Sequence, residues 1–575
     1  MRFLPTTKEE LKRLKWGQLD IILISGDSYI DSPFIGTAVI GRYLVNNRFK
    51  VGIISQPDLT SPRDIKRLGE PKLFWGVSGG SVDSMVANYT ASKKKRKSDD
   101  FTPGGINNRR PDRAVIVYSN LIRKYFKDTK PIVLGGIEAS LRRVAHYDYW
   151  SNKIRKSILF DAKADALVYG MGEKTILKLA KAFKQNKDWR KIKSLCYISN
   201  DPPKDYLELP SFKEVVNSKS KFTQMFHTFY KNNDPKTAVG LCQKTDTRYL
   251  IQNSPENYLT QYEMDKIYEI KFALEQHPYY QKFGKVKALE TIRFSLTTHR
   301  GCYGECNFCA IAVHQGQTIQ WRSERSIINE AKRFNKFANF KGVISDAGGP
   351  TANMYGFECK KKIKKGCCEH KRCVSPTLCK MMKPDHSPQM SLLNKLSALK
   401  GVKQVFIASG IRYDLIIEDK KFGQKYLNQL VNKHTSGQLK IAPEHTDNDV
   451  LKLMGKPGAA ILNKFGKMFS DTVSHYKKNQ FLTYYLIAAH PGCTIDKMKA
   501  LKSYTSKQLK INPEQVQIFT PLPSTYSALM YYTEQDPFTG KKIFVEKDIN
   551  RKKKQKDILT YKPSYKKPKT RRSRK

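Results

Sequence analysis

Apolar residues in this chain fall into short dense runs, separated by polar stretches that carry Gly and Pro. Six runs between residues 18 and 170 read as buried strands: QLDIILIS (18–25), KVGIISQP (50–57), KLFWGVSGG (72–80), RAVIVYSN (113–120), PIVLGG (131–136) and ADALVYG (164–170). PFIGTAVIGRYLVNN (33–47) has helical spacing. Unbroken apolar strands with helices between them predict a parallel sheet covered on both faces. Residues 1–199 therefore read as a doubly wound α/β domain, which holds ligands at the carboxyl ends of its strands. Those ends, SGDSYIDSP, SGGSVDSM, GGIEAS and GMGEK, are Gly-rich and polar. Residues 91–110 are charged and rich in turn formers, as a surface loop would be.

Residues 200–285 read as a helical interdomain segment, on KFTQMFHTFYKN and NYLTQYEMDKIYEIKFALEQ. A second β/α series occupies 286–535. Its strands are TIRFSLTTHRG (291–301), FKGVISDAGG (340–349), VKQVFIASG (402–410), GQLKIAPEH (437–445), FLTYYLIAAH (481–490) and EQVQIFTPLP (514–523). Six parallel strands with helices between predict a partial (β/α)6 barrel. A Cys- and Lys-rich insertion at 357–388 interrupts it. Residues 536–575 read as a basic low-complexity tail, disordered because it lacks the apolar residues to form a core.

Charge changes the picture. The chain of 575 residues carries 104 Lys+Arg against 52 Asp+Glu, a formal net charge of +52. Residues 551–575 hold thirteen basic residues and one acid; the rest of the excess is spread along the chain. Such a field attracts polyanions, so RNA bound through the basic surface and tail is an expected partner; a lysine-solvated surface is the plainer alternative. No run of ~20 apolar residues predicts a membrane span, and the first residues lack the apolar centre of a signal peptide. A cytoplasmic location follows, where thiols stay reduced. The eleven cysteines, eight of them between Cys302 and Cys379, then point to metal rather than disulfides.

THRGCYGECNFCAIAVHQG places Cys302, Cys306 and Cys309 in a C-x3-C-x2-C array just after a predicted strand. Three thiolates on one Gly-containing loop can hold three irons of a [4Fe-4S] cube and leave the fourth open. Half of a zinc ribbon would use the same residue type. Cys359, Cys368, Cys373 and Cys379 form a second candidate metal site, for an auxiliary iron–sulfur cluster or zinc, with free thiols as the alternative. His299 and His314 flank the triad, and His445 and His490 sit at strand ends.

The triad, with Phe308 before its third cysteine, resembles the signature of the radical S-adenosylmethionine (SAM) superfamily. GGIEASLRRVAHYDYWSNKIRKSILFDAKADALVYG, ISDAGGPTANMYG, IASGIRYDL, LKIAPEHT and MGKPG together resemble the YgiQ-type radical SAM proteins, over roughly 16–535. The resemblance implies a [4Fe-4S] cluster on Cys302, Cys306 and Cys309, with SAM on its open iron. It implies one-electron cleavage of SAM to a 5′-deoxyadenosyl radical, hydrogen abstraction from a substrate, and a reductant protein such as flavodoxin or ferredoxin. Gly348 and Gly349 stand where the superfamily's backbone meets the SAM amino group, although its Gly-Gly-Glu-Pro is here Gly-Gly-Pro-Thr. Ser409, Arg412 and Glu444 stand where it binds the carboxylate and ribose. RNA or protein is the favoured substrate class. A small-molecule methyl transfer or rearrangement is an alternative, and a non-enzymatic, metal-cluster nucleic-acid-binding protein another. The N-terminal domain resembles the cobalamin-binding type, but residues 26–36 contain no histidine to serve as an axial ligand. Cobalamin is therefore not expected, although binding without a protein ligand stays open.

Overall fold

The computed structural model describes residues 1–369 and 372–560. Its first layer is a nine-stranded sheet. In chain order its strands are β1 (Ile21–Ser25), β2 (Val51–Ser55), β3 (Phe74–Ser78), β4 (Ile132–Gly135), β5 (Ala166–Val168), β6 (Leu195–Ser199), β7 (Leu207–Leu209), β8 (Leu241–Thr245) and β9 (Arg248–Gln252). Their spatial order is β7-β8-β9-β6-β5-β4-β3-β1-β2. β2, β1, β3, β4 and β5 are all parallel. β1 shows why its sequence is apolar throughout: Ile22 and Ile24 enter the core on one face, Ile21 and Leu23 the core on the other.

Two expectations are corrected here. RAVIVYSN is not a strand but the start of a helix, Ala114–Tyr125. The β-branched run suggests a strand, yet Ala114, Val115, Tyr118, Ser119, Leu121 and Ile122 are buried at helical spacing. Residues 200–285 are not a helical connector either. β7, β8 and β9 extend the first sheet, with β8 and β9 an antiparallel hairpin that pairs onto β6; the helix Lys219–Lys231 packs its Phe222, Met225, Phe226 and Phe229 into the same core.

The second layer is the half-barrel. Its strands are β10 (Ser295–Thr297), β11 (Asp346–Gly348), β12 (Gln404–Val405), β13 (Gln438–Glu444), β14 (Phe481–Ala488) and β15 (Val516–Ile518). β10 pairs with β11, Val343–Ile344 just ahead of β11 pairs with β12, and β13, β14 and β15 pair in turn, all parallel. A parallel bridge from Ile411 to Ile441 joins the third strand to the fourth. The sheet thus runs in sequence order, as short right-handed β/α crossovers require.

The two layers share one core. Ala310, Val313, Phe519, Tyr526 and Leu529 from the barrel pack in the same cluster as Ile22, Trp75 and Leu134 of the first sheet. The Ser524 hydroxyl donates to the Leu141 carbonyl at 2.8 Å. The stretch expected as a tail from 536 is corrected in part. The helix Ile549–Leu559 packs on the barrel, with Lys552, Gln555 and Leu559 at 1% exposure or less. Gln555 accepts from the Ala489 amide at 2.9 Å and donates to the Cys493 carbonyl at 3.2 Å. The remainder of the expected tail, 561–575, lies outside the described residues. Among the described residues no helix is long and apolar enough to cross a membrane.

Candidate iron–sulfur and SAM site

The cysteine loop starts where two residues of extended chain, His299–Arg300, pair with Gln320–Trp321. Gly301 turns the chain at φ +84°, where a Cβ would meet the Thr318 carbonyl oxygen at 2.4 Å. The loop is then pinned from several sides. The Cys302 amide donates to the Gly316 carbonyl at 3.1 Å, and the Cys309 amide to the Cys306 carbonyl at 2.9 Å. The Asn307 amide and side chain donate to the Met454 and Leu453 carbonyls, each at 2.8 Å. The helix Ile311–Gln315 follows directly.

All three thiols are half-buried. Burial pushes the Cys302 and Cys309 thiols up, Cys309 to about 12, and the neighbouring cysteines add to this. Three thiols on one loop whose thiolates would repel one another suit a ligand that replaces their protons with iron. The Arg412 guanidinium lies 3.9 Å from the Cys306 sulfur. It is held by Asp414 at 2.6 Å, and although burial opposes its charge, that carboxylate keeps the guanidinium ionised. Glu444 contributes to the raised pKa of Cys309. Burial pushes Glu444 itself upward, against Lys456 and Arg412. A register shift between Ile441 and Glu444 and a φ of +69° at Glu444 re-aim the end of β13. Arg412 thus lies against Cys306, and Glu444 is near enough to Cys309 to act on its thiol.

Gly348, Gly349 and Ser409 line a cavity of about 460 Å³ between the two layers. The Ser409 hydroxyl donates to Asp346, which also accepts the Ala408 amide at 2.8 Å. His299 Nε2 is 3.0 Å from the Thr351 carbonyl oxygen, and the Thr351 hydroxyl is 3.6 Å from the Cys302 sulfur. Thr351 therefore links the cysteine loop to the cavity wall. Burial holds His299 and His314 down to about 4, so both are neutral.

The opposite wall is built from the strand ends of the first sheet, including Asp27, Phe34, Gly80, Gly136 and Gly172. The first sheet puts no histidine into that wall; its two histidines, His299 and His314, come from the barrel side. The sequence reading missed the pair that ties the walls together. Arg300 binds Glu173 at 2.6 Å, both buried, across 127 positions. Glu173 Oε2 and His314 Nδ1 are buried without a hydrogen-bond partner, and both residues line the cavity. The only signal for Glu173 was its place in the strand-end phrase GMGEK. His445 and His490 face other partners: His445 Nε2 is 3.5 Å from the Cys493 sulfur, and His490 Nε2 is 2.7 Å from the Ser527 hydroxyl.

The second cysteine set does not assemble as a foursome. Cys359, Cys373 and Cys379 pack in a cluster with Tyr303, Met354 and Cys302, whereas Cys368 is exposed. Among the described residues no three His, Cys, Asp or Glu side chains are grouped to hold a single metal ion, in this set or in the triad of Cys302, Cys306 and Cys309, whose thiols would each take a different iron of a cube.

Comparison with known proteins gives the family. The family described as Radical SAM N-terminal matches residues 3–295. A UPF0313 protein of Fusobacterium nucleatum is 60% identical over 98% of this chain and 99% of its own. One of Thermotoga maritima is 47% identical over 97% and 99%; one of Clostridium botulinum is 45% identical over 98% and 88%. Among solved structures, the radical SAM methyltransferase TsrM of Kitasatospora setae, with cobalamin and a [4Fe-4S] cluster bound, is 14% identical. It matches with a TM-score of 0.49 over 89% of this chain and 77% of that one. The cobalamin-dependent SAM radical enzyme OxsB, with aqua-cobalamin bound, gives 14% and 0.49 over 93% and 57%.

Proposed function

The chain belongs to the UPF0313 family and to the radical SAM proteins, and from that premise we propose that it cleaves SAM reductively beside Cys302, Cys306 and Cys309 and acts on a small molecule held between its two layers. The carrying observation is the shared wall: Thr351 connects Cys302 to a cavity lined by Gly348, Gly349 and Ser409 on one side and by the Gly-rich strand ends on the other. A cluster and SAM, when bound, supply one-electron cleavage of a sulfonium C–S bond and hydrogen abstraction.

The chain's own groups have definable parts. Cys302, Cys306 and Cys309 would hold iron as thiolates. Arg412, charged and fixed by Asp414, offers paired donors to a carboxylate. Gly349 carries no side chain of its own, which lets His299 pack against its Cα beside the cavity. Glu173 and His314 line the cavity, each with one buried polar atom that has no hydrogen-bond partner. A cavity of about 460 Å³ with mostly apolar walls and a few polar groups is of the size and kind that takes a small molecule. The net charge of +52 supports the other reading, an RNA substrate.

Anaerobic reconstitution with iron and sulfide, then SAM and dithionite, tests the reading. Formation of 5′-deoxyadenosine is expected, and its loss in Cys306→Ala. A reconstituted protein that yields none would overturn it. Filter binding to total RNA separates the substrate classes: salt-sensitive binding that survives competition by heparin would favour RNA.

A further inference from the structure

Reductive cleavage needs an electron from outside the chain, so the route by which it arrives is a structural question. We propose that the helix Lys360–Lys365, in the insertion, is the docking surface for a small acidic one-electron carrier protein. The inference rests on the radical SAM reading. One electron leaves the carrier, which is oxidised, and reaches the iron–sulfur site, which is reduced; no covalent bond forms and no proton moves.

The helix reads KKKIKK. Lys360, Lys361, Lys364 and Lys365 are exposed, and no acidic residue stands in its first turn. Lys360 with Lys364, and Lys361 with Lys365, are like-charge pairs at i,i+4, which destabilise a helix. Cations near a helix N-terminus also oppose its dipole. Local structure gives no reason for this composition; a negatively charged partner does. Ile363, 45% exposed, sits among the lysines. Apolar contacts ringed by charge are the usual anatomy of such an interface.

The inner face of the helix leads straight to the cysteine loop. Lys362 alone points inward. It pairs with Glu358 at 2.9 Å, donates to the Gln317 carbonyl at 2.8 Å, and lies 5.2 Å from the centre of the Tyr303 ring. Cys359, the residue before the helix, packs with Tyr303 and Cys302 in one cluster. Lys362 and Cys359 therefore pack against Tyr303, the residue next to the first candidate iron ligand.

The test uses reconstituted full-length holoprotein and an acidic flavodoxin as the probe. Titration calorimetry should give a Kd that rises with salt. It should weaken on the order of tenfold in the quadruple Lys360, Lys361, Lys364 and Lys365→Glu variant. The same charge change at the exposed Lys464 and Lys467 on one outer helix, and at Lys507 and Lys510 at and just beyond the end of another, should shift it less than about threefold. Reduction of the holoprotein by reduced flavodoxin, followed by bleaching of its visible absorbance, should slow in the first variant only. Reduction by dithionite should stay at the wild-type rate, which also shows that the variant is folded. Equal loss in both quadruple variants, or none in the first, overturns the docking surface. Failure of dithionite to give 5′-deoxyadenosine in the wild type overturns the underlying reading instead.

Discussion

The Arg412 guanidinium stands 3.9 Å from the Cys306 sulfur while its far edge is anchored on Asp414 at 2.6 Å. Both partners of the ion pair are below one-tenth exposed. Removing the guanidinium leaves a buried carboxylate unpaired. Arg412→Met should therefore cost the iron-free protein about 3 kcal/mol in urea unfolding. Adding Asp414→Asn should recover most of that loss without restoring SAM affinity, which would separate the structural share of the arginine from its share in binding.

Iron content tests the ligand set directly. Wild-type protein should reconstitute with about four irons per chain, and Cys302→Ala, Cys306→Ala or Cys309→Ala should each retain few of them. Substituting Cys359, Cys373 and Cys379 together by serine should leave the count unchanged. About eight irons in the wild type, halved by that triple substitution, would instead assign an auxiliary cluster to the insertion.

The two glycines of the β11 turn should differ. A Cβ on Gly349 would meet His299 Nε2 at 2.6 Å and the His299 carbonyl oxygen at 2.7 Å, and backbone cannot swing aside. A Cβ on Gly348 meets Ala352 at 3.3 Å, tight but close to ordinary contact. Gly349→Ala should cost roughly 1–3 kcal/mol of stability and displace the turn, weakening SAM binding. Gly348→Ala should do markedly less, by thermal unfolding and equilibrium dialysis.

Lys552 carries a pH signature. The residue is 1% exposed and its ammonium donates to the Tyr531 hydroxyl at 2.7 Å, with no carboxylate among the described residues in reach of a salt bridge. Burial, with repulsion from Lys547 and Lys93, lowers its pKa from 10.5 to about 8. Below pH 8 the group is charged folded and unfolded, and the folded state bears the full burial cost. From about pH 8 to 10.5 the folded state gives up its proton first, so this contribution to stability rises with pH. Lys552→Met should be more stable than wild type near pH 7, by on the order of 1–3 kcal/mol, and the gap should narrow toward pH 10. A constant gap across that range would exclude the titration. The same burial removes Lys552 from any RNA-binding role, leaving Lys554 exposed and Lys553 half-buried in that run.

Much of this was legible in the chain because short apolar strands announce themselves when Gly and Pro bound them. β1, β2, β3, β4 and β5 fall within the runs read from sequence, and so do the six barrel strands. The triad was legible because ligand spacing on one loop is local. What failed was non-local. Val115-Ile116-Val117 reads as a strand until tertiary packing selects the helical face of Ala114–Tyr125. β8 and β9 join through Asp246 in the left-handed region, but their LCQKT and RYLIQ lack the apolar density of a central strand. The Glu173–Arg300 pair could not be read from one sequence, since each residue alone looks like an ordinary surface charge.

The helix Ile549–Leu559 has a further consequence for how the molecule is made. Lys552 reaches Tyr149 of the first layer as well as Tyr531 of the barrel, so the seam between the layers is fastened by residues translated after both. During synthesis, with earlier segments folding as they emerge, this last contact between sheet and barrel closes only after the shared core of the two layers is complete.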